Sequence, residues 1–266
     1  VGHKDKSETI AQFLRLHLAP VAASKEDMAK SRKSKKSRKI PRIRPIRFLR
    51  RWGIRITTLC AVVVTGVVVA HRWVTPPETY YMGQEERRLG KISYRWEDID
   101  DVAPVMTRSI VAAEDANFCN HWGFDMNAIR DAIEDGGGRG ASTLSQQTVK
   151  NTYLWHGRSW LRKALEASIT PLMELAWDKR RIVEVYMNVA EFDDGVFGVG
   201  AASRHYFGVP PSKLDARQAA LLAAVLPDPK DRSAKHPSDW MKKRARSIMD
   251  GAATIDRDGR ADCFED

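Results

Sequence analysis

Residues 114–125 read Glu114-Asp115-Ala116-Asn117-Phe118-Cys119-Asn120-His121-Trp122-Gly123-Phe124-Asp125. Upstream of them Val102, Val105, Met106, Ser109 and Ile110 step along one face of a helix that starts near Asp101, which sets Glu114 close to its buried end. Downstream, Asp125 is placed to cap another helix, with Ile129 and Ile133 as its apolar side. A carboxylate pair, an aromatic ring and an imidazole thus gather where a helix gives way to a Gly-containing turn. Core packing would ask for apolar residues at helical spacing instead. A cluster this polar points to a polar ligand.

A second polar stretch follows the Gly-rich break Gly136–Gly140: Ser142-Thr143-Leu144-Ser145-Gln146-Gln147-Thr148-Val149-Lys150-Asn151. Three more motifs come in order. They are Arg162-Lys163-Ala164-Leu165-Glu166, the run Lys179 to Asn188, and the Gly-punctuated run Gly195 to Gly208. Together, from about Thr75 onward, the five motifs resemble those of the peptidoglycan glycosyltransferases, the lipid II polymerases of bacterial cell walls, and within them the monofunctional type. The resemblance implies an all-α, lysozyme-like, two-lobed domain whose smaller lobe touches the membrane. The rest of the pattern agrees. The Trp160–Phe192 segment reads as one long helix or two, with Pro171 as a start or kink. Leu214–Leu226 and Ser238–Asp250 read as further helices, and no period-two strand run of any length is visible. A transpeptidase half would carry Ser-x-x-Lys and Lys-Thr-Gly, and neither occurs in these residues.

The formal net charge of +10 over 266 residues invites a nucleic-acid reading. Its distribution argues against one. Thirteen Lys and Arg, with no Asp or Glu, fall between Lys30 and Arg55, so the remainder is close to neutral. That basic segment precedes a Val-rich run, and Trp52 to Val74 is long enough to span a bilayer with Arg55 and Arg72 snorkelling and Trp52 and Trp73 at the interfaces. A buried core helix is the bland alternative, but the run has no polar face. A cleaved signal peptide is the stronger rival, since Val68-x-Ala70 suits a cleavage site; the long basic region and Arg72 argue for a retained anchor. The expected organisation is a disordered cytoplasmic tail over 1–51, a transmembrane helix over 52–74 and a periplasmic catalytic domain over 75–266, in a single-pass inner-membrane protein. Residues 1–29 carry only a weak helical pattern around Ile10, Phe13 and Leu14.

The implied reaction joins lipid-linked disaccharides: a GlcNAc 4-hydroxyl attacks the MurNAc anomeric carbon, and a polyprenyl diphosphate leaves with inversion. A sugar hydroxyl needs a base, and Glu114 matches the family's catalytic base; its apolar neighbours Ile110, Val111 and Phe118 would raise its pKa. A diphosphate leaves readily when fixed cations stabilise it, and Lys150, Arg158, Arg162 and Lys163 are the candidates. Arg162 and Lys163 share a helical face with Glu166, the family's second essential carboxylate. Alone, that trio would be an ordinary surface ion pair. Ser142, Thr143, Gln146, Gln147 and Asn151 are expected to bond sugar and phosphate oxygens, with Phe118 lining the substrate. A helix from Ser142 would align Gln146 and Lys150 toward the cleft. His121 is expected to hold the turn, and Lys179, Glu184, Tyr186 and Asn188 to stand as scaffold behind the second carboxylate.

The resemblance implies no obligatory cofactor and no metal ligands, with room for a divalent cation such as Mg beside the donor diphosphate. Expected partners are lipid II, the growing lipid-linked glycan chain, the membrane, and cell-wall synthesis or division proteins. A glycan-cleaving hydrolase and an idle membrane anchor are the rival readings. Of the three cysteines, Cys119 and Cys263 would share an oxidising compartment. They form either a disulfide or two separate buried thiols.

Overall fold

A computed structural model describes residues 45–136 and 140–265. The expectations for residues 1–44, and for the end of the Gly-rich loop at 137–139, lie outside these described residues. The chain divides into two compact units, 1–56 and 57–266.

Helix α1, Pro45–Ala70, begins seven residues before the expected anchor and stops four residues short of its end. Pro45 suits a first turn because its missing N–H has no helical partner there. Of the expected tail, residues 45–51 are therefore helical. Within α1, Arg47–Ala70 is 24 residues long and apolar enough to cross a membrane, and its Val and Leu side chains are mostly exposed. Residues 71–74 leave the helix, and their polar groups are used by the helices that follow in the chain. His71 Nδ1 lies 3.0 Å from the Tyr153 hydroxyl, and Arg72 donates to the Ala176 carbonyl at 2.7 Å. Arg181 donates to the carbonyls of His71 and Val74, both at 3.0 Å. Arg72 is thus a junction residue rather than a snorkelling one.

The second unit is mostly helical. Thr79 caps α2, Tyr80–Leu89, a helix the sequence pattern does not announce. Next come β1 (Ser93–Tyr94), a 3₁₀ turn at Ile99–Asp101, and α3 (Pro104–Glu114) with Pro at its first position. A 3₁₀ turn, Phe118–Asn120, leads to α4, Met126–Glu134. Asp125 caps α4 as expected, accepting from the N–H groups of Asn127 and Ala128. Ile133, read as part of the apolar side of α4, is 73 % exposed. Helix α5 is Leu144–Tyr153. The long helical segment is two helices, α6 (Trp160–Ala176) and α7 (Lys179–Val189), with Pro171 inside α6 and Asp178 capping α7.

After α7 come β2 (Glu191–Asp193) and β3 (Val196–Phe197), then α8 (Val199–Phe207), α9 (Ala216–Val225) and α10 (Asp239–Arg257). The strands form a small sheet in the order β1-β3-β2, parallel for β1/β3 and antiparallel with a bulge for β2/β3. At two or three residues each, these strands are too short for an alternating pattern to register. Gly198, at φ +79°, leads from β3 into α8; a Cβ there would lie 2.9 Å from the Asn188 carbonyl oxygen.

Two packing groups position the site. Helices α3, α9 and α10 pack on one another, and α5 packs on α6 and α7. Ile110, Phe118, Leu222 and Ile248 are among the side chains buried at 1 % exposure or less. Glu114 is the last residue of α3, where the first group meets α5.

Candidate active site

Glu114 is partly buried, and the side chain that bonds it among the described residues is neutral: Gln147 Nε2 donates to Glu114 Oε2 at 2.7 Å. Gln147 is oriented in turn by Tyr186, whose hydroxyl donates to Oε1 at 3.3 Å. Burial raises the Glu114 pKa above the ordinary carboxylate value, opposed by the Gln147 bond and by the charges of Arg244 and Lys150. The Asp115 charge pushes in the same direction as burial.

The neighbouring Asp115 does a different job. Its carboxylate accepts from the Leu144 N–H at 2.9 Å and lies 3.0 Å from His121 Nε2. It therefore ties α3 to the N-terminus of α5, and His121 holds the turn. Gly123 completes that turn at φ +80°; a Cβ there would meet Thr170 Cγ2 at 2.5 Å. Its carbonyl accepts from Thr143 Oγ1 at 2.6 Å.

Glu166 is 2 % exposed and both of its oxygens are occupied. Arg162 Nη1 donates to Oε2 at 2.6 Å and Lys163 Nζ to Oε1 at 2.5 Å. Lys163 Nζ also donates to Ser142 Oγ at 3.1 Å, bringing the start of the second motif to the third. Lys150 is half-buried near these groups: burial lowers its pKa, Glu166 and Glu114 raise it, and Arg162 and Lys163 lower it. The two carboxylates thus have opposite surroundings. One has a neutral partner and a raised proton affinity; the other is loaded with cations.

A cleft of about 350 Å³ opens at Gln147, the partner of Glu114, and at Lys150; Tyr81, Asn151, His156 and Lys230 are among its other lining residues, and neither carboxylate lines it. Asn151 Oδ1 is buried there without a hydrogen-bond partner. His156 stacks on Tyr81 at a centroid distance of 3.6 Å, and burial drives its pKa down to about 4, so it is neutral at physiological pH. Tyr81, His156 and Lys230 had no motif to flag them. Neither had Arg244 on α10, whose Nη2 donates to the Ala113 carbonyl at 2.9 Å.

The structure gives three of the expected substrate contacts a structural role. Helix α5 starts at Leu144, not Ser142, so Thr143 becomes its cap. Thr143 and Gln146 form a reciprocal capping box and are 3 % and 4 % exposed, which engages Thr143 Oγ1 and Gln146 Oε1 at the helix start. Phe118 is 0 % exposed, lying under the Lys179 ammonium at 4.3 Å and against Phe264. It supports the turn from within the core. Gln147, Lys150 and Asn151 line the cleft, Ser142, Arg162 and Lys163 gather around Glu166, and Arg158 is exposed. Of the expected scaffold, Tyr186 stands behind the Glu114 partner rather than behind Glu166. Lys179 bonds Glu174 and the His121 carbonyl, while Asn188 holds Glu97. Cys119 and Cys263 are joined in a disulfide with Cα atoms 5.8 Å apart.

Among the described residues a divalent cation finds no ready ligand set beside Glu166, because two side-chain cations already hold both of its oxygens. Among the described residues, the acidic group compact enough for an ion is Glu85, Glu191 and Asp194, and it is bridged by Arg88 and Lys230.

A raised carboxylate beside a cationic cleft is the layout of a group-transfer enzyme whose substrate leaves as an anion. The transglycosylase family model matches residues 83–253, well over half of the chain. A biosynthetic peptidoglycan transglycosylase from Jannaschia sp. (strain CCS1) is 61 % identical over 216 residues, 81 % of this chain and 90 % of the relative. Proteins of the same description from Rhodospirillum centenum and Caulobacter vibrioides are 44 % and 43 % identical. These cover 83 % and 82 % of this chain, and 97 % and 98 % of their own lengths. The chain belongs to the transglycosylase family.

Proposed function

We propose that Glu114 is the general base and the Glu166 cluster the leaving-group site of a lipid II polymerase. The chain is a peptidoglycan glycosyltransferase, and its substrates are lipid II and the growing glycan chain. Glu114 takes the proton of the GlcNAc 4-hydroxyl as that oxygen bonds to the anomeric carbon. The bond to the diphosphate oxygen breaks on the opposite face, and the configuration inverts. Lys150, Arg162 and Lys163 stabilise the departing charge, with Glu166 holding the last two in place before substrate arrives. A divalent cation such as Mg would have to be carried in by the diphosphate itself. Gln147 aims the Glu114 carboxylate, and Asn151 Oδ1 offers an acceptor to a substrate hydroxyl or amide.

The observation that carries this reading is the contrast between the two carboxylates. A glycan hydrolase must protonate a departing alcohol and has no use for a cluster of three cations at the leaving group. Incubating the full-length protein with lipid II and resolving the products on a gel tests it. Long glycan strands are expected; small muropeptides would refute it.

We also place α1 across the inner membrane, with the basic N-terminal segment cytoplasmic and the catalytic unit periplasmic. The exposed Trp122, Ile133, Trp160, Leu161 and Leu175, between 65 % and 92 % exposed, support contact of the catalytic unit with the bilayer surface. Cell-wall synthesis or division proteins are proposed as partners at the membrane.

A further inference from the structure

The C-terminal segment reaches back to the turn that carries Glu114 and holds it on both sides. Arg244 donates to the Ala113 carbonyl at 2.9 Å, immediately before Glu114. Arg260 Nη1 donates to the Ala116 carbonyl at 3.2 Å, two residues after it. Cys263 is bonded to Cys119, and Phe264, 1 % exposed, packs on Phe118 with ring centroids 6.3 Å apart. Glu265 accepts from Thr107 Oγ1 at 3.0 Å and pairs with Arg108, both on α3.

This arrangement answers a local weakness. Glu114 is the last residue of α3, and the chain leaves the helix at Asp115, with φ −161° and ψ 73°. The carbonyls of a helix's last turn have no partners within the helix. The Ala113 carbonyl is one of these, and Arg244 supplies its partner; Arg260 does the same for Ala116 in the turn beyond. Without these holds, the backbone at Glu114 would be secured mainly through Asp115, and a base must be held in hydrogen-bonding reach of its proton.

We propose that the strap Arg260–Glu265, fixed by the Cys119–Cys263 disulfide, is a positioning element for Glu114, so that polymerisation depends on the oxidised state of this cysteine pair. The inference rests on Glu114 as the base. The groups that set the proton affinity of Glu114 are Gln147 and Lys150 on α5, Arg244 on α10 and the adjacent Asp115, with Tyr186 on α7 behind Gln147. Slackening the strap alters the distances of Glu114 to all of them. Its effect should therefore appear in the chemical step and its pH dependence, more than in lipid II binding.

The test compares the full-length oxidised protein, the same protein reduced with dithiothreitol, and Cys263→Ser, each well below its own melting midpoint. Dithiothreitol takes the two sulfurs to thiols by exchange and is itself oxidised to a cyclic disulfide. In both altered forms kcat should fall about tenfold, since small misplacements of reacting groups carry penalties of this order. KM for lipid II should stay within about twofold, and the acidic limb of the kcat profile should move. Reoxidation should restore the reduced protein, whereas dithiothreitol should do nothing further to Cys263→Ser. Arg260→Gln, which leaves the disulfide intact, should shift the same limb by less. A lowered melting midpoint with unchanged kcat and unchanged pH profile would overturn the proposal. If Cys263→Ser does not fold, the reduced native protein decides alone. Glu114→Gln run alongside separates the two ideas: activity there refutes the base assignment, whereas an inactive Glu114→Gln with a fully active reduced enzyme refutes only the strap.

Discussion

Replacing Glu114 by Gln should abolish polymerisation while leaving the protein about as stable as before, and more so as pH rises. The substitution keeps the shape and leaves an oxygen to accept the 2.7 Å bond from Gln147. Converting that charge-assisted bond to a neutral one costs about 1 kcal/mol. Against it stands the penalty the native carboxylate carries for ionising in a partly buried site, about 1.4 kcal/mol for each unit by which its pKa is raised. A raised folded-state pKa means that the native state binds this proton more tightly than the unfolded chain does. The Glu114 contribution to stability is therefore full below the ordinary carboxylate pKa and is lost as pH rises through the raised one. Catalysis runs the other way, because only the ionised form accepts a proton. Melting midpoints of both proteins at pH 5 and pH 8 should show the variant gaining on the native enzyme at the higher pH. Lipid II turnover at pH 8 should fall by about 10²–10⁴-fold, the usual worth of a general base. Near-normal strand synthesis by the variant would end the base assignment. A stability deficit that widens with pH would show that the site favours the charged form, contrary to the reasoning.

At the second carboxylate, Glu166→Gln should lower the rate about 10²–10³-fold and weaken lipid II binding, because Arg162 and Lys163 lose the group that orients them. It should also cost about 1–3 kcal/mol of stability, less than a fully enclosed ion pair would, since the Lys163 side chain is 41 % exposed. Combined with Lys163→Met, its effect on rate should be clearly less than additive; strictly additive losses would mean the two do not act as a unit. Gly123→Ala should destabilise by at least about 2 kcal/mol through positive φ and the contact with Thr170, and should disturb the Thr143 cap of α5; an unchanged melting midpoint would refute this. A periplasm-dependent reporter fused after Asp266 should be active and one fused before Lys30 silent, and the reverse pattern would sink the assigned orientation.

What was legible in the sequence were features with a strong local cause. Asp125 announces a helix start because a short carboxylate can satisfy two exposed N–H groups, and it does so here. Glu166 with Arg162 and Lys163 follows from helical spacing alone. The failures come from groups with two competing uses. Thr143 and Gln146 are as suited to a reciprocal cap as to a sugar, and reading the helix start near Ser142 instead of at Leu144 hid the cap. Phe118 sits within the motif yet faces inward, a matter of rotation that spacing after a helix end does not determine. The strands were invisible because two paired residues leave no periodicity. Tyr81, His156 and Lys230 reach the cleft from segments far apart in the chain, so only the folded structure brings them together. The two cysteines lie between these extremes: a disulfide was open from composition, and pairing required the end of the chain to return to α3.

The same electrostatic economy explains why the two carboxylates need different partners. A base loses strength when a cation binds it directly, since the ion pair stabilises the form without the proton. Glu114 is accordingly contacted by an amide, with Lys150 and Arg244 acting only through space. A leaving-group site has the reverse requirement: its cations must be in place before charge develops, and unpaired cations would repel one another. Glu166 relieves that repulsion and keeps Arg162 and Lys163 together beside Ser142. Lys150 couples the halves, because it senses both Glu114 and Glu166. On the proposed mechanism, the negative charge of an arriving diphosphate would satisfy Lys150 and withdraw part of that cation's hold on Glu114. Donor binding would thereby strengthen the base it needs, an ordering that favours attack only once the leaving group is seated.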